Sequence, residues 1–319
     1  MREEKMFKRK TSQCVDTGLY YDPEHNVEVE TAKNTANFSD KWSRFYNAKN
    51  RREYDEFQSN WFETLYGITR HKLIGNLHGS MILDAGCGGG DKTHNMSKLN
   101  PSCQFWGVDL SSELEIKALE TKKSQNLNFL RADIANLPFE GNIFDLIICD
   151  QVLHHTKNPQ ATLIEFNRLL KNKSELLTYV YQKKALPREL LDQFFIDEKE
   201  FPADELYKMS DQLTCLGEFL QTNFAGEFEF PEVEFLNIPG GKMTLQRFIY
   251  DNFIKCFYNS DMGFEQSTIV NYDWYIPNIA YRYTVGEFQD MCSLAGFEIN
   301  YLHTEPSCIS GRLVKIKDV

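Results

Sequence analysis

From residue 81 onward, short apolar runs alternate with stretches of helical periodicity. "MILDAG", "QFWGVDLS", "LNFLRADI", "FDLIICD" and "ELLTYVY" are separated by "THNMSKLN", "SELEIKALETKKSQ" and "PQATLIEFNRLLK". Strands joined by intervening helices pair in parallel, and the crossover helices cover both faces of the sheet. The region 81–181 therefore predicts an open α/β sheet of at least five strands.

The alternation stops after Tyr181. Residues 182–280 read as helices and loops, as in "PRELLDQFF", "DELYKMSDQLTCLGEFLQTNF" and "TLQRFIYDNFIKCFY". "TVGEFQDMCSLAGF" then reads as a helix, and "EINYLHTEP" with "GRLVKIK" as a closing pair of strands. Ahead of the sheet, the first 35 or so residues are polar and read as an extended arm. Phe38, Trp42 and Phe45, then Trp61, Leu65 and Ile68, fall at helical spacing. The expected domains are an N-terminal arm and helices over 1–79, a core over 80–182, a helical insertion over 183–280, and a helix with a hairpin over 281–319.

Composition narrows the function. The 319 residues carry a formal charge of −11, which disfavours a nucleic-acid binder, since that work needs a basic surface. The eight cysteines are scattered, without CxxC pairs or zinc spacing, so no metal is expected and the thiols read as free in a reducing cytoplasm. No apolar run is long enough for a membrane span. The basic run "KRK" at 8–10 reads as a solvated face.

The stretch "MILDAGCGGGDKTH" places four glycines within five residues directly after the first strand. A loop leaving a parallel strand at the point where strand order reverses must turn sharply and admit a ligand close to its backbone. It also offers N–H groups at the helix that follows. A dinucleotide fingerprint needs a third glycine, but Asp91 stands there, and Asp84 at the strand end repels a pyrophosphate. The same acid suits a ligand with an amino group. No G-K-[ST] follows, which sets the nucleotide-hydrolase loop aside. By themselves, such glycines are equally those of an ordinary tight strand–helix turn.

"LDAGCGGG" resembles the first motif of the class I S-adenosylmethionine-dependent methyltransferases, small-molecule type, and later segments resemble that family in order. They are "GVDLS", "RADIANLPF", "FDLIICDQVLHH" and the closing "AGFEI". The resemblance implies a Rossmann-like, seven-stranded, mostly parallel sheet with helices on both faces, and S-adenosylmethionine as cofactor, released as S-adenosylhomocysteine. It implies that Asp84, Gly86, Cys87 and Gly88 cradle the methionine end, and that Asp109 with Leu110 takes the ribose. Asp133 and the Ile134 N–H would reach the adenine, while Asp150 and Gln151 would lie beside the sulfonium.

Methyl transfer from a sulfonium is an in-line displacement in which positioning supplies much of the acceleration. An oxygen nucleophile must also lose its proton. His155 is the expected base, an imidazole that titrates near neutrality, with Asp150 as positioner. The bland alternative is that the "HH" pair packs the site or caps a turn. The expected acceptor residues are His154, Arg247, Asp273, Trp274, Tyr275, Arg282 and Tyr283, drawn from the aromatic segments of the insertion and its end. The alternative for most of them is the insertion's own core. Phe38, Trp42 and Tyr46 are read as closing over the cofactor or packing on the sheet edge.

The reading is a methyltransferase of a small or medium organic acceptor, with oxygen slightly favoured over nitrogen or carbon. Its partner is that acceptor, with no nucleic acid and no membrane; a homodimer is left open. The rivals are a protein or RNA methyltransferase, a non-catalytic partner subunit, and an NAD-dependent oxidoreductase.

Overall fold

The computed structural model describes residues 6–22, 29–47, 51–197 and 201–319. In chain order the first elements are β1 (Ser12–Gln13), β2 (Tyr20–Tyr21), α1 (Val29–Asn47), α2 (Arg51–Tyr66) and α3 (Arg70–Gly75). The alternating region gives β3 (Met81–Ala85), α4 (Asp91–Leu99), β4 (Gln104–Asp109), α5 (Leu114–Thr121), β5 (Leu127–Arg131), β6 (Phe144–Cys149), α6 (Pro159–Leu169) and β7 (Leu170–Gln182). There follow α7 (Leu186–Asp197), α8 (Ala203–Asn223), β8 (Glu227–Phe230), β9 (Gly241–Thr244), α9 (Leu245–Asn252) and α10 (Gly263–Tyr275). The chain closes with β10 (Arg282–Tyr283), α11 (Val285–Leu294), β11 (Phe297–Glu305) and β12 (Cys308–Lys315). These elements cluster into two compact units.

The first unit holds the described residues of 1–35 with 59–181 and 281–319. It is a mostly parallel sheet with helices on both faces, in the order β1-β2-β5-β4-β3-β6-β7-β12-β11. Among the described residues the sheet has ten strands, not seven. Seven form the main sequence from β5 to β11; β1 and β2 extend its β5 edge, and β10 pairs with β7. The edge strand β5 would otherwise present an unpaired row of backbone groups, and the N-terminal arm covers it. Tyr20 pairs with Leu130, and the Phe7 ring lies 5.6 Å from Trp106 and 5.2 Å from Phe139. In the basic run of this arm Lys8 and Lys10 are exposed, as a solvated face requires, while Arg9 is partly buried. Arg9 pairs with the buried Asp22 and bonds Asn136, while Lys8 reaches Glu165 at 3.7 Å.

Burial explains the strands. β3, β4 and β6 are buried almost throughout because helices cover both faces, so they need apolar residues at successive positions. Leu83, Trp106, Val108, Leu130, Ile147, Phe166 and Phe288 belong to one core cluster. The last strand ends on a buried lysine whose donors are all used. Lys315 Nζ meets Asn142 Oδ1 at 3.0 Å, the Leu170 carbonyl at 2.9 Å and Asp318 Oδ1 at 2.7 Å.

The second unit holds residues 36–58 and 182–280. It is mainly helical, but β8 and β9 form an antiparallel hairpin that the reading of this region as helices and loops did not foresee. Its core joins Leu206, Leu213, Leu220, Cys256, Tyr272, Tyr275 and Ile276. Side chains on one face of α10 fasten an extended segment, residues 255–259. Tyr275 accepts from the Lys255 N–H at 3.0 Å, Asn271 from the Phe257 N–H at 2.8 Å, and Ser267 from the Asn259 N–H at 3.1 Å. Four helical residues rise about 6 Å and two extended ones about 6.6 Å, so the two periods run in step. Asn271 also donates to Thr214 on α8 at 2.8 Å.

The segment comes so close to α8 that a Cβ at Gly217 would lie 2.3 Å from the Cys256 carbonyl oxygen. Gly217→Ala is expected to cost about 1–3 kcal/mol by overpacking. The loss should appear as reduced amide-exchange protection in α8 and α10, with the sheet's protection unchanged.

Candidate active site at the rim of the sheet

The site grows from the position of β3. It pairs in parallel with β4 on one side and β6 on the other, with Asp84 opposite Gly107 and Ile148. The chain runs from β3 outward through β4 and β5, then returns to β6 on the other flank. The carboxyl ends of these strands therefore diverge and leave a crevice at the switch point.

Asp84 is buried within the last turn of β3, and Thr93 Oγ1 on α4 donates to its Oδ2 at 2.6 Å. Among the described residues, no cation lies within 4.0 Å of it. Burial pushes its pKa up to about 6, and the Thr93 hydrogen bond only partly opposes this. A desolvated carboxylate with one neutral donor is poised for a cationic partner.

The glycine loop follows. Gly86 has φ +81°, and a Cβ there would fall 2.4 Å from a Val152 methyl. A protein side chain from the loop after β6 thus excludes a side chain at 86. The N–H groups differ from expectation too. Those of Gly86 and Cys87 both donate to the Val108 carbonyl, at 2.7 and 3.0 Å, and that of Gly88 to Asp109 Oδ2 at 2.8 Å. They fasten the loop to β4 instead of facing a ligand.

Asp109, the last residue of β4, accepts the Ser111 N–H on Oδ1 at 2.8 Å and the Gly88 N–H on Oδ2. A carboxylate has about four acceptor positions, so one remains on each oxygen. That spacing fits two vicinal hydroxyls. Leu110 lies beside it and accepts from Arg131 Nε at 3.0 Å. Asp133, beyond β5, turns its own backbone by accepting the Ala135 N–H at 2.9 Å, and Ile134 is buried next to it.

Asp150 follows β6, and two residues that sequence reading missed hold it. Tyr66 on α2 donates to Oδ1 at 2.9 Å, and Lys92 on α4 lies 3.5 Å from Oδ2. Burial first, then Asp150, drives the Tyr66 pKa well above the ordinary value, so this phenol keeps its proton. Gln151 adopts a left-handed backbone, φ +64°, which reverses the chain into a short 3-10 turn, Leu153–His155.

His154 and His155 lie with ring centroids 4.0 Å apart. His154 is wholly buried, 3.9 Å from the Tyr181 ring, with Nδ1 3.4 Å from the Tyr179 carbonyl. Burial, then His155, pushes its pKa well down, so His154 is a neutral packing residue at pH 7. His155 is half-buried beside Tyr181. β10 brings Arg282 and Tyr283 to this turn, where the Tyr281 N–H donates to the His154 carbonyl at 2.9 Å.

The other expected acceptor residues belong to the second unit. Arg247 pairs with Asp251 at 3.1 Å and Asp273 with Lys41 at 2.8 Å. Tyr275 is buried, and its hydroxyl is spent on the Lys255 backbone. Trp274 has cations over its ring from three directions in sequence: Lys184, Arg188 and Lys255. Trp42 carries the Lys41 ammonium at 4.2 Å, and the side chain of Tyr46 lies outside the described residues. Among the described residues, no group of three His, Cys, Asp or Glu side chains is placed to hold a metal, and no helix is long and apolar enough to cross a membrane.

Residues 77–228 match the model of a family described as a methyltransferase domain. An uncharacterised methyltransferase of Schizosaccharomyces pombe is 34% identical over 128 residues, 35% of this chain and 46% of the relative. A demethylmenaquinone methyltransferase of Staphylococcus saprophyticus is 39% identical over 95 residues, 29% of this chain and 41% of the relative. Magnesium protoporphyrin IX methyltransferase of Synechocystis PCC 6803, solved with S-adenosylhomocysteine, is similar at 16% identity and TM-score 0.47 over 90% of this chain and 98% of that one. The chain spans about half the length of the curated relatives it matches. The stretch 77–228, just under half of the chain, is thus similar to a methyltransferase domain.

The Thr93 contact has a measurable consequence. Asp84 titrates above the ordinary 3.8, so its contribution to stability is fully present below that value and is lost as pH rises through about 6. Thr93→Val removes the donor that softens this loss. It should destabilise by about 1–3 kcal/mol at pH 7.5 and by less at pH 5, as read by urea unfolding.

Proposed function

We propose that the chain transfers a methyl group from S-adenosylmethionine to a small organic acceptor. One observation carries this reading. Successive parallel strands β3, β4 and β5 each end in or lead to a carboxylate, Asp84, Asp109 and Asp133, around the switch point. Three acids there repel a dinucleotide pyrophosphate and suit an ammonium, a ribose and an adenine amino group.

When bound, S-adenosylmethionine supplies an electrophilic methyl on a sulfonium. Asp84 would hold its ammonium, and the two open acceptor positions of Asp109 would take the ribose hydroxyls. Asp133 and the Ile134 N–H would read the adenine edge. Asp150, anchored by Tyr66 and Lys92, would fix the floor beside the reacting centre with Gln151. His155, the half-buried imidazole of the pair, would take the acceptor's proton, which favours an oxygen acceptor. Its neighbour His154 is kept neutral by burial and so does not compete for that proton.

The stable product S-adenosylhomocysteine is the test ligand. Asp109→Ala should weaken its binding by about 1–3 kcal/mol in a calorimeter; an unchanged affinity removes the ribose assignment. Affinity should also fall as pH drops below about 6, by up to tenfold per unit, because protonated Asp84 cannot pair with an ammonium. Asp84→Asn should bind weakly and lose this dependence, whereas a flat profile in the unmodified protein would place the ammonium elsewhere.

A further inference from the structure

The second unit contains a buried ammonium that has no ion-pair partner among the described residues. Lys255 is 7% exposed, and its Nζ lies 4.8 Å from the centre of the Trp274 ring. Among the described residues, no carboxylate comes within 4.0 Å of that nitrogen and no acceptor hydrogen-bonds it. The same chain shows how a merely structural buried lysine is satisfied, since Lys315 finds three oxygens. A cation–π contact offsets only a fraction of what it costs to take an ammonium out of water.

The neighbouring charges make the contrast plain. Arg188 is bonded to both oxygens of Asp192 at 2.9 Å, Arg247 pairs with Asp251, and Lys41 pairs with Asp273. These three pairs cancel, whereas Lys255 has no such partner within 4.0 Å among the described residues. Nor is it a floppy side chain folded inward by chance. The Tyr275 hydroxyl holds its backbone N–H, the next residue's carbonyl accepts from Gln246 at 2.9 Å, and Gly217 is cut back to let the segment in. Burial lowers the Lys255 pKa to about 7, as expected of an ammonium awaiting a counter-ion.

We infer that the second unit binds a small monocarboxylic acid, with the Lys255 ammonium receiving the carboxylate and the half-buried Trp274, Tyr250 and Phe257 offering ring surface to an apolar body. One buried ammonium, with Asp192, Asp251 and Asp273 close by, matches a monoanion and opposes a phosphate dianion. This binding site goes beyond the proposed transferase reading and stands without it.

The test is calorimetry on the full chain with benzoate as probe, benzamide as its uncharged analogue and inorganic phosphate as the dianion. Benzoate should bind at least tenfold more tightly than benzamide or phosphate, and Lys255→Met should abolish that preference. In the unmodified protein, benzoate affinity should weaken as pH rises from 6 to 8.5. The ammonium is the group that loses its proton there; the charged and titratable groups facing it are Asp192, Asp251, Asp273, Arg188, Lys184 and the Tyr275 hydroxyl. This profile decides the matter even if Lys255→Met fails to fold. No benzoate binding, equal binding of benzamide, a preference for phosphate, or an affinity that ignores pH would each overturn the inference. S-adenosylhomocysteine binding is measured in the same samples. Lys255-dependent benzoate binding without it sinks the transferase reading alone, and its presence without benzoate binding sinks this inference alone.

Discussion

The first unit is built around strands that carry few polar groups along their length. β3, β4 and β6 are covered on both faces, so most residues within them are apolar. Polarity is expelled to the carboxyl rim, where loops begin and the helices α4 and α5 start. The crevice at the switch point inherits Asp84, Asp109, Asp133 and Asp150 for this reason. Each sits where an apolar run ends, and the parallel pairing of successive strands gathers the ends into one place.

That logic also explains what was legible in the sequence. The strands, their order of appearance and the acids closing them are local features, visible as apolar runs with a carboxylate at or just past the end. The residues that bind those acids are not local. Thr93, Tyr66 and Lys92 reach Asp84 and Asp150 because α4 and α2 pack against the rim, and no spacing in the chain announces it. Val152 is hidden in the same way: the glycine at 86 was readable, but the methyl group that forbids a side chain there comes from a loop 66 positions later. The short strands of the arm escaped because two-residue pairing leaves no periodic trace. The hairpin β8–β9 escaped because its apolar residues, Phe228 and Phe230, resemble loop aromatics until Phe248 stacks 3.9 Å from the second of them. Tyr275 read as a pocket residue, yet its hydroxyl is spent on backbone.

Among the described residues, each unit holds a buried charge with no opposite charge within 4.0 Å. In the first it is an acid, Asp84, with a hydroxyl for company and no cation near. In the second it is a base, Lys255, with an indole for company and no carboxylate within 4.0 Å. Both groups respond to burial in the direction that neutralises them, the acid upward and the amine downward. Elsewhere the chain matches buried charges carefully, as with Arg188 and Asp192 or with Lys315. The two exceptions mark the places where a ligand would complete the electrostatics.

The stapling of residues 255–259 along α10 sets a limit on how this protein can diversify. Three bonds hold because a step of four on the helix keeps pace with a step of two on the extended strip, like teeth of two gears with matched pitch. A single inserted or deleted residue in the strip would slip every later tooth, turning Phe257 or Asn259 away from its partner and leaving buried amides bare. Change in length is thereby pushed out to the turn at 260–262, while the strip itself can vary only in side-chain identity. A lineage descended from this chain could retune what stands at position 255, but not readily move it.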